Sequence, residues 1–74
     1  MIDKKLLQVK IGERVKFCRE EVGIHQTELA SKVGLEKSNL ARLESGRTNP
    51  TFLTLYKISQ ALDISLSKLV NIGD

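Results

Sequence analysis

The chain has 74 residues, 41% hydrophobic and 28% charged, with a formal net charge of +3, as is typical of one small globular domain and not of a linker or disordered tail. One cysteine and one histidine exclude an intramolecular disulfide and a four-ligand zinc site, and no apolar run reaches the roughly 18 residues of a membrane span. The sequence therefore predicts a cytoplasmic domain without metal, cofactor or membrane partner, whose positive charge suits an anionic partner or an ordinary solvated surface.

Apolar residues recur at helical spacing along almost the whole chain, and no segment shows the two-residue alternation of a strand. We therefore expect an all-α fold. In the first helix an apolar stripe, spaced by four, three and four residues, predicts a buried face that ends near Gly23. The stripe consists of Ile11, Val15, Cys18 and Val22.

Residues 1–10 are predicted to extend this first helix, with Asp3 as its N-cap. On a continuous helix Leu6 and Phe17 would lie on nearly the same side, away from the buried stripe. Either this second apolar face is an N-terminal dimer contact, or Leu6 folds back and Phe17 is a scattered exposed hydrophobic residue of the kind that monomers carry.

Two short helices are predicted next, over about 26–33 and about 37–45. Helices joined by so few residues must cross steeply, and the small Ala30 lets the second approach while Gly34 supplies the positive φ of the turn. Leu40 then anchors the second of these helices to the core. This geometry holds a helix at the surface with its N-terminal end outward, as entry into a DNA major groove about 12 Å wide requires.

The last third of the chain predicts two further helices. Pro50 in "GRTNPT" ends any helical continuation, and Thr51 can cap a fourth helix that carries Leu55 and Ile58. Ser65 is a natural N-cap for a short fifth helix, whose apolar residues are Leu66, Leu69 and Val70.

In this arrangement the chain resembles the helix-turn-helix domains of the phage Cro and repressor type, the XRE family. The resemblance rests on residues at the motif's spacing and on three later segments: Gln26, Ala30, Gly34 and Leu40, then "LESG", Pro50 and "ALDISLSKLV". It implies a five-helix, lambda-repressor-like DNA-binding domain over residues 11–72, preceded by the extension 1–10. The implied function is sequence-specific binding of double-stranded DNA by a transcriptional regulator, expected to be a repressor that reads a palindromic operator.

The resemblance also implies which side chains contact the bases. Lys37, Ser38 and Arg42 match positions that enter the major groove, where arginine can bind O6 and N7 of guanine in bidentate fashion. Ala41 either offers its methyl group to a thymine methyl or serves helix propensity alone.

Contacts with the DNA backbone are implied for residues that flank the recognition helix. Gln26 matches a glutamine that reaches a phosphate and braces a base-reading side chain. His25, where a short polar cap is usual, is either a weak cap or a phosphate contact. The other expected backbone contacts are Arg19, Asn39, Ser45, Arg47 and Asn49. The resemblance further implies an ion pair of Arg19 with Glu44, which either orients Arg19 toward a phosphate or is structural only.

A homodimer is expected, because the family pairs subunits so that two half-sites about 34 Å apart are read. The implied dimer interface consists of Ile64, Leu66, Val70 and Ile72. The alternative function is an antitoxin-like or other protein-interaction module, in which a toxin or polymerase binds the same fold. An enzyme is not expected, because no paired carboxylates, recurring Cys/His or Ser/His arrangement, or phosphate loop occurs in the sequence.

Overall fold

The computed structural model describes residues 3–73, and this range folds into five α-helices with no strand. The predicted all-α fold with five helices is therefore confirmed. The helices are α1 (Lys4–Val22), α2 (Gln26–Val33), α3 (Lys37–Glu44), α4 (Phe52–Ala61) and α5 (Leu66–Leu69). Between residues 3 and 73 no helix is both long enough and apolar enough to span a membrane.

Helix α1 includes most of the N-terminal extension. It begins after Asp3, whose carboxylate accepts a hydrogen bond from the backbone N–H of Leu6 at 2.7 Å, as the sequence predicts. The predicted stripe is buried at Val15 and Cys18, but Val22 is exposed, so its assignment to the core is wrong. The chain turns back over the end of α1 on the side of Arg19, whose Nη1 donates to the carbonyl of Ile24 at 2.9 Å, and Val22 is left on the open side.

Helices α2 and α3 pack as the turn between them requires. Gly34 has φ +74, a left-handed conformation that side chains rarely adopt, and the N–H of Leu35 donates to the carbonyl of Ala30 at 2.9 Å. Leu29, Ala30 and Leu40 are buried at the crossing. The turn therefore holds α3 against the core by one face and leaves its other face in solvent.

One close backbone contact fixes where α3 ends relative to α1. Gly12 is buried in the middle of α1, and a Cβ atom at this position would press on the carbonyl of Leu43 and stand 2.8 Å from the carbonyl oxygen of Glu44. Only glycine permits this approach, because a side chain would force the two helices apart. The packing of α1 therefore sets the position of the C-terminal end of α3.

Helices α4 and α5 complete the core and begin at the predicted caps. The hydroxyls of Thr51 and Ser65 each accept a hydrogen bond at 3.1 Å from the backbone N–H three residues later. Asp63, between the two helices, adopts φ +56, which aspartate tolerates better than most residues. The buried hydrophobic residues are Val15, Cys18, Leu29, Ala30, Leu40, Leu43, Leu55, Ile58, Leu62 and Leu69.

Candidate nucleic-acid interface

The outward face of α3 carries the side chains predicted to read bases. Lys37, Ser38 and Arg42 are exposed, and Ala41 between them is half-buried. Leu40 and Leu43 occupy the opposite face and are buried in the core. Because residues four apart lie on the same side of a helix, the polar set forms one continuous surface.

A cavity of about 490 Å³ lies beside this surface, where α1, the start of α2 and α3 meet. Four basic side chains line it, two from α1, one from the start of α2 and one from α3: Lys16, Arg19, His25 and Lys37. Its other lining residues are Gln26, Thr27, Ala41, Glu44 and Ser45. The cavity therefore brings together residues that are far apart in the sequence and that offer mostly hydrogen-bond donors and positive charge.

A hydrogen-bond network lies among these lining residues. Arg19 donates from Nε to Oε2 of Glu44 at 2.7 Å and from Nη2 to Oε1 at 3.1 Å, with the two side chains 10% and 3% exposed. Gln26 donates from Nε2 to Oε1 of Glu44 at 2.9 Å. The hydrogen bond with Glu44 raises the pKa of Arg19, although burial opposes the charged form. The guanidinium therefore stays charged and neutralises the buried carboxylate.

The N-terminal end of α2 opens toward the same cavity. His25 occupies the N-cap position in extended conformation, and within residues 3–73 its side chain makes no capping hydrogen bond. The first intrahelical bond runs from the N–H of Leu29 to the carbonyl of His25. The N–H groups of Gln26 and Thr27 therefore precede the helical ladder, and such groups attract anions.

The remaining residues predicted to contact the DNA backbone lie in two places, in or just after α3 and beside α1. Asn39 within α3 and Arg47 in the loop after it are exposed, and the hydroxyl of Ser45 donates to the carbonyl of Arg42 at 3.0 Å. Asn49, in contrast, lines a separate groove beside α1. The structure thus places Asn49 away from the cavity between α1, α2 and α3.

Lys16 is a candidate contact that the sequence analysis missed. It lies three residues before Arg19, so both project from the same side of α1, and it lines the cavity that His25 and Lys37 share. The signal in the sequence was this spacing, but only the packing of α1 against α3 shows which side faces the recognition helix.

Comparisons with known proteins agree with this geometry. The family HTH_3, described as helix-turn-helix, matches residues 15–69. The transcriptional regulator SinR of Bacillus licheniformis is 43% identical over 65 residues, which cover 86% of this chain and 59% of SinR. The chain therefore spans less than two thirds of the length of that relative.

Two solved structures have the same fold. The restriction-modification controller protein C.AhdI from Aeromonas hydrophila superposes with a TM-score of 0.80 at 34% identity, covering 84% of this chain and 94% of that chain. A crystal structure of SinR, the master regulator for biofilm formation, in complex with DNA has a TM-score of 0.74 at 42% identity. It covers 82% of this chain and 98% of that one.

Proposed function

The chain belongs to the HTH_3 family of helix-turn-helix, XRE-type proteins, and from this premise we propose that it binds double-stranded DNA sequence-specifically and regulates transcription. The single observation that carries the proposal is the joint placement of the exposed face of α3 and the cation-lined cavity beside it. One surface offers side chains for base edges, and the other offers charge and N–H groups for a phosphate. Repression by occupying a promoter is the simplest mode for such a domain.

Base recognition is assigned to α3. Arg42 is exposed in the last turn of α3, and its guanidinium has the bidentate geometry that guanine requires. Lys37 and Ser38, one turn earlier, would contact the neighbouring base edges, and Ala41 would contact a thymine methyl group. Since the α3 backbone is held by Leu40 and Leu43, these side chains start from a fixed position.

Phosphate binding is assigned to the cavity and to the loop after α3. Lys16 and His25 would bind a phosphate together with the free N–H groups at the start of α2. The other proposed backbone contacts are Gln26, Asn39, Ser45, Arg47 and Asn49. Arg19 is assigned to positioning, because its guanidinium already donates to Glu44 and to the carbonyl of Ile24.

We propose that residues 11–72 form the DNA-binding unit and that the protein acts in the cytoplasm as a homodimer. Support for DNA as the ligand comes from SinR, which has been crystallised with DNA and is 42% identical to this chain. Support for a dimer comes from the single recognition helix, since two copies related by a two-fold axis read a longer and more specific site than one copy can.

The proposal is tested by selecting bound duplexes from a random pool and titrating the selected duplex at two salt concentrations. We expect an inverted repeat with half-sites about one helical turn apart, bound at least about 1,000-fold more tightly than random DNA. Weak binding without a consensus would overturn the proposal. The alternative, a protein-interaction module of the antitoxin type, would then be tested by a pull-down of protein partners.

A further inference from the structure

Helix α4 exposes an apolar face that the proposed DNA interface does not use. Phe52 is 74% exposed, Leu53 61% and Tyr56 47%. At about 100° per residue, these three positions lie within roughly 100° of one another around the helix, so they form a single face. We call these three residues the α4 patch. Single exposed hydrophobic residues are ordinary, but three adjacent large ones indicate a contact surface.

An apolar groove of about 430 Å³ adjoins the α4 patch. Its walls are Leu7 and Ile11 of α1, Pro50 in the loop before α4, and Leu55 in the first turn of α4. Lys4, Gln8 and Asn49 also line it, and they supply its polar groups. Since an apolar cavity of about 150 Å³ can hold benzene, this groove is large enough for a phenyl ring.

The patch and the groove lie side by side on one chain. Phe52 follows Pro50 by two residues and precedes Leu55 by three, and residues three apart on a helix have neighbouring side chains. Phe52 is therefore a neighbour of the groove residue Leu55, and its side chain is largely exposed to solvent. A projecting group beside a matching groove is the self-complementary arrangement that a two-fold contact between identical chains requires.

We propose that the partner of this surface is a second copy of the chain, with Phe52 of each protomer inserted into the groove of the other. Leu53 and Tyr56 cover the edges of the contact, and the hydroxyl of Tyr56 stays at its rim, where Gln60 Nε2 donates to it at 3.0 Å. Among residues 3–73, Lys4 is the one charged residue that lines the groove, and its long side chain can keep its ammonium group in water.

This dimer is expected to be weak in the absence of DNA. Large aromatic residues bury about 150–250 Å² each, so the two aromatic side chains that each protomer contributes would together bury at most roughly 600–1,000 Å² in the dimer. Stable complexes bury about 1,200–2,000 Å². The free chain should therefore associate in the micromolar to millimolar range, and two adjacent half-sites should strengthen the contact by holding both protomers together.

The sequence predicts a dimer interface at the end of the chain, and the structure offers less free apolar surface there. Ile64, Leu66 and Val70 are partly buried and pack against the core of their own chain, and Ile72 is half-buried. The α4 patch also lies nearer the recognition helix in the sequence, because Phe52 follows Glu44 by eight residues and Ile64 follows it by twenty. The relevance of the recognition helix to the dimer rests on the proposed function.

The first test is sedimentation velocity of the full chain at increasing concentration. Phe52→Ser with Leu53→Ser should weaken dimerisation at least about tenfold, as loss of a central aromatic anchor does. Leu6→Ser, on the exposed side of α1, and Ile72→Ser, at the expected alternative interface, should leave it unchanged. Thermal unfolding monitors folding of each variant. A wild-type chain that remains monomeric at millimolar concentration, or a dimer disrupted only by Ile72→Ser, would overturn the proposal.

A complementation experiment tests the reciprocal insertion itself. Phe52→Glu and Leu7→Lys should each dimerise at least about tenfold more weakly than the wild type when alone. An equimolar mixture should form a heterodimer, because one contact then pairs glutamate with lysine and the other keeps phenylalanine in an unchanged groove. A mixture that associates no better than either variant alone would contradict the reciprocal contact.

A third measurement separates this inference from the proposed function. The duplex selected from the random pool is shortened to one half-site, and the double variant at residues 52 and 53 is titrated against it. We expect wild-type affinity for the half-site and at least about tenfold weaker binding to the full site. If the wild type shows no sequence preference, the proposed function fails, whereas the sedimentation results still decide the dimer contact.

Discussion

Arg19 and Glu44 join the first helix to the last residue of α3 through two hydrogen bonds, of 2.7 and 3.1 Å, in a position where both side chains are almost fully buried. Gln26 extends the same network to the first residue of α2. The three helices that surround the cavity are therefore held by one carboxylate. Loss of the Glu44 carboxylate should therefore reduce the stability of the fold more than the sequence preference for DNA.

Glu44→Ala should lower the free energy of unfolding by about 3 kcal/mol, because it leaves the buried guanidinium of Arg19 without its partner. Urea denaturation followed by circular dichroism measures the loss. The control is Glu21→Ala, which removes a pair with Lys68 at 3.3 Å where both side chains are 50% exposed, and which should cost less than about 1 kcal/mol. Equal losses for the two variants would contradict a structural role for Glu44.

Gly12→Ala should destabilise the domain by about 1–3 kcal/mol, although alanine is normally the better helix residue. The added methyl group would press on the backbone carbonyls of Leu43 and Glu44, which have little freedom to move. Glu13→Ala, exposed on the next position of α1, should change stability by no more than about 0.5 kcal/mol. A stabilising effect of Gly12→Ala would show that α1 does not need this close approach.

Gly12 also illustrates what the sequence could not predict. The turn between α2 and α3 was predictable because Ala30, Gly34 and Leu40 act locally, through side-chain size, backbone φ and helical spacing. The need for glycine inside α1 comes from the carbonyl of Leu43, thirty-one positions later in the chain. A glycine in a helix carries no local sign of such a neighbour.

The candidate site likewise has one part that the sequence predicts and one part that it does not. The outward face of α3 followed from helical spacing, because the buried Leu40 and Leu43 fix which side faces solvent. The cavity did not follow, since its shape depends on how α1 crosses the ends of α2 and α3. For this reason the contact candidate Lys16 was missed, and the full set of hydrogen bonds on Glu44, including that from Gln26, was not foreseen.

Arg42→Ala should weaken binding to the selected duplex by about 1–3 kcal/mol and relax the preference at one base position, while binding to random DNA changes little. Arg47→Ala should weaken both and reduce the dependence on salt by about one unit of slope. Fluorescence anisotropy with both duplexes at several salt concentrations measures these effects. Parallel losses for the two variants on both duplexes would refute the division between base and backbone contacts.

Lys16→Gln should lower affinity for selected and random DNA alike and reduce the salt slope by about one unit, because one phosphate contact is removed. Lys57→Gln is the matched control, since it removes the same charge from a groove between α2 and α4 on another part of the surface. If both variants reduce the slope equally, the effect of Lys16 reflects net charge alone, and its place in the cavity has no role.

His25 allows stability and DNA binding to be separated at one position. A serine at the N-cap accepts a hydrogen bond from the N–H three residues later, which here belongs to Glu28, and a glutamate at that position can return the bond. His25→Ser should therefore raise the free energy of unfolding by about 0.5–1 kcal/mol, whereas His25→Ala should not. If the imidazole binds a phosphate as proposed, both variants should lose DNA affinity by similar factors. His25→Ser would then be more stable than the wild type and yet bind DNA more weakly.

Urea denaturation and anisotropy titrations on the same preparations measure the stability and the DNA affinity. Unchanged affinity in both variants would restrict His25 to its place at the start of α2, because Lys16 and the free N–H groups there would then bind the phosphate without it.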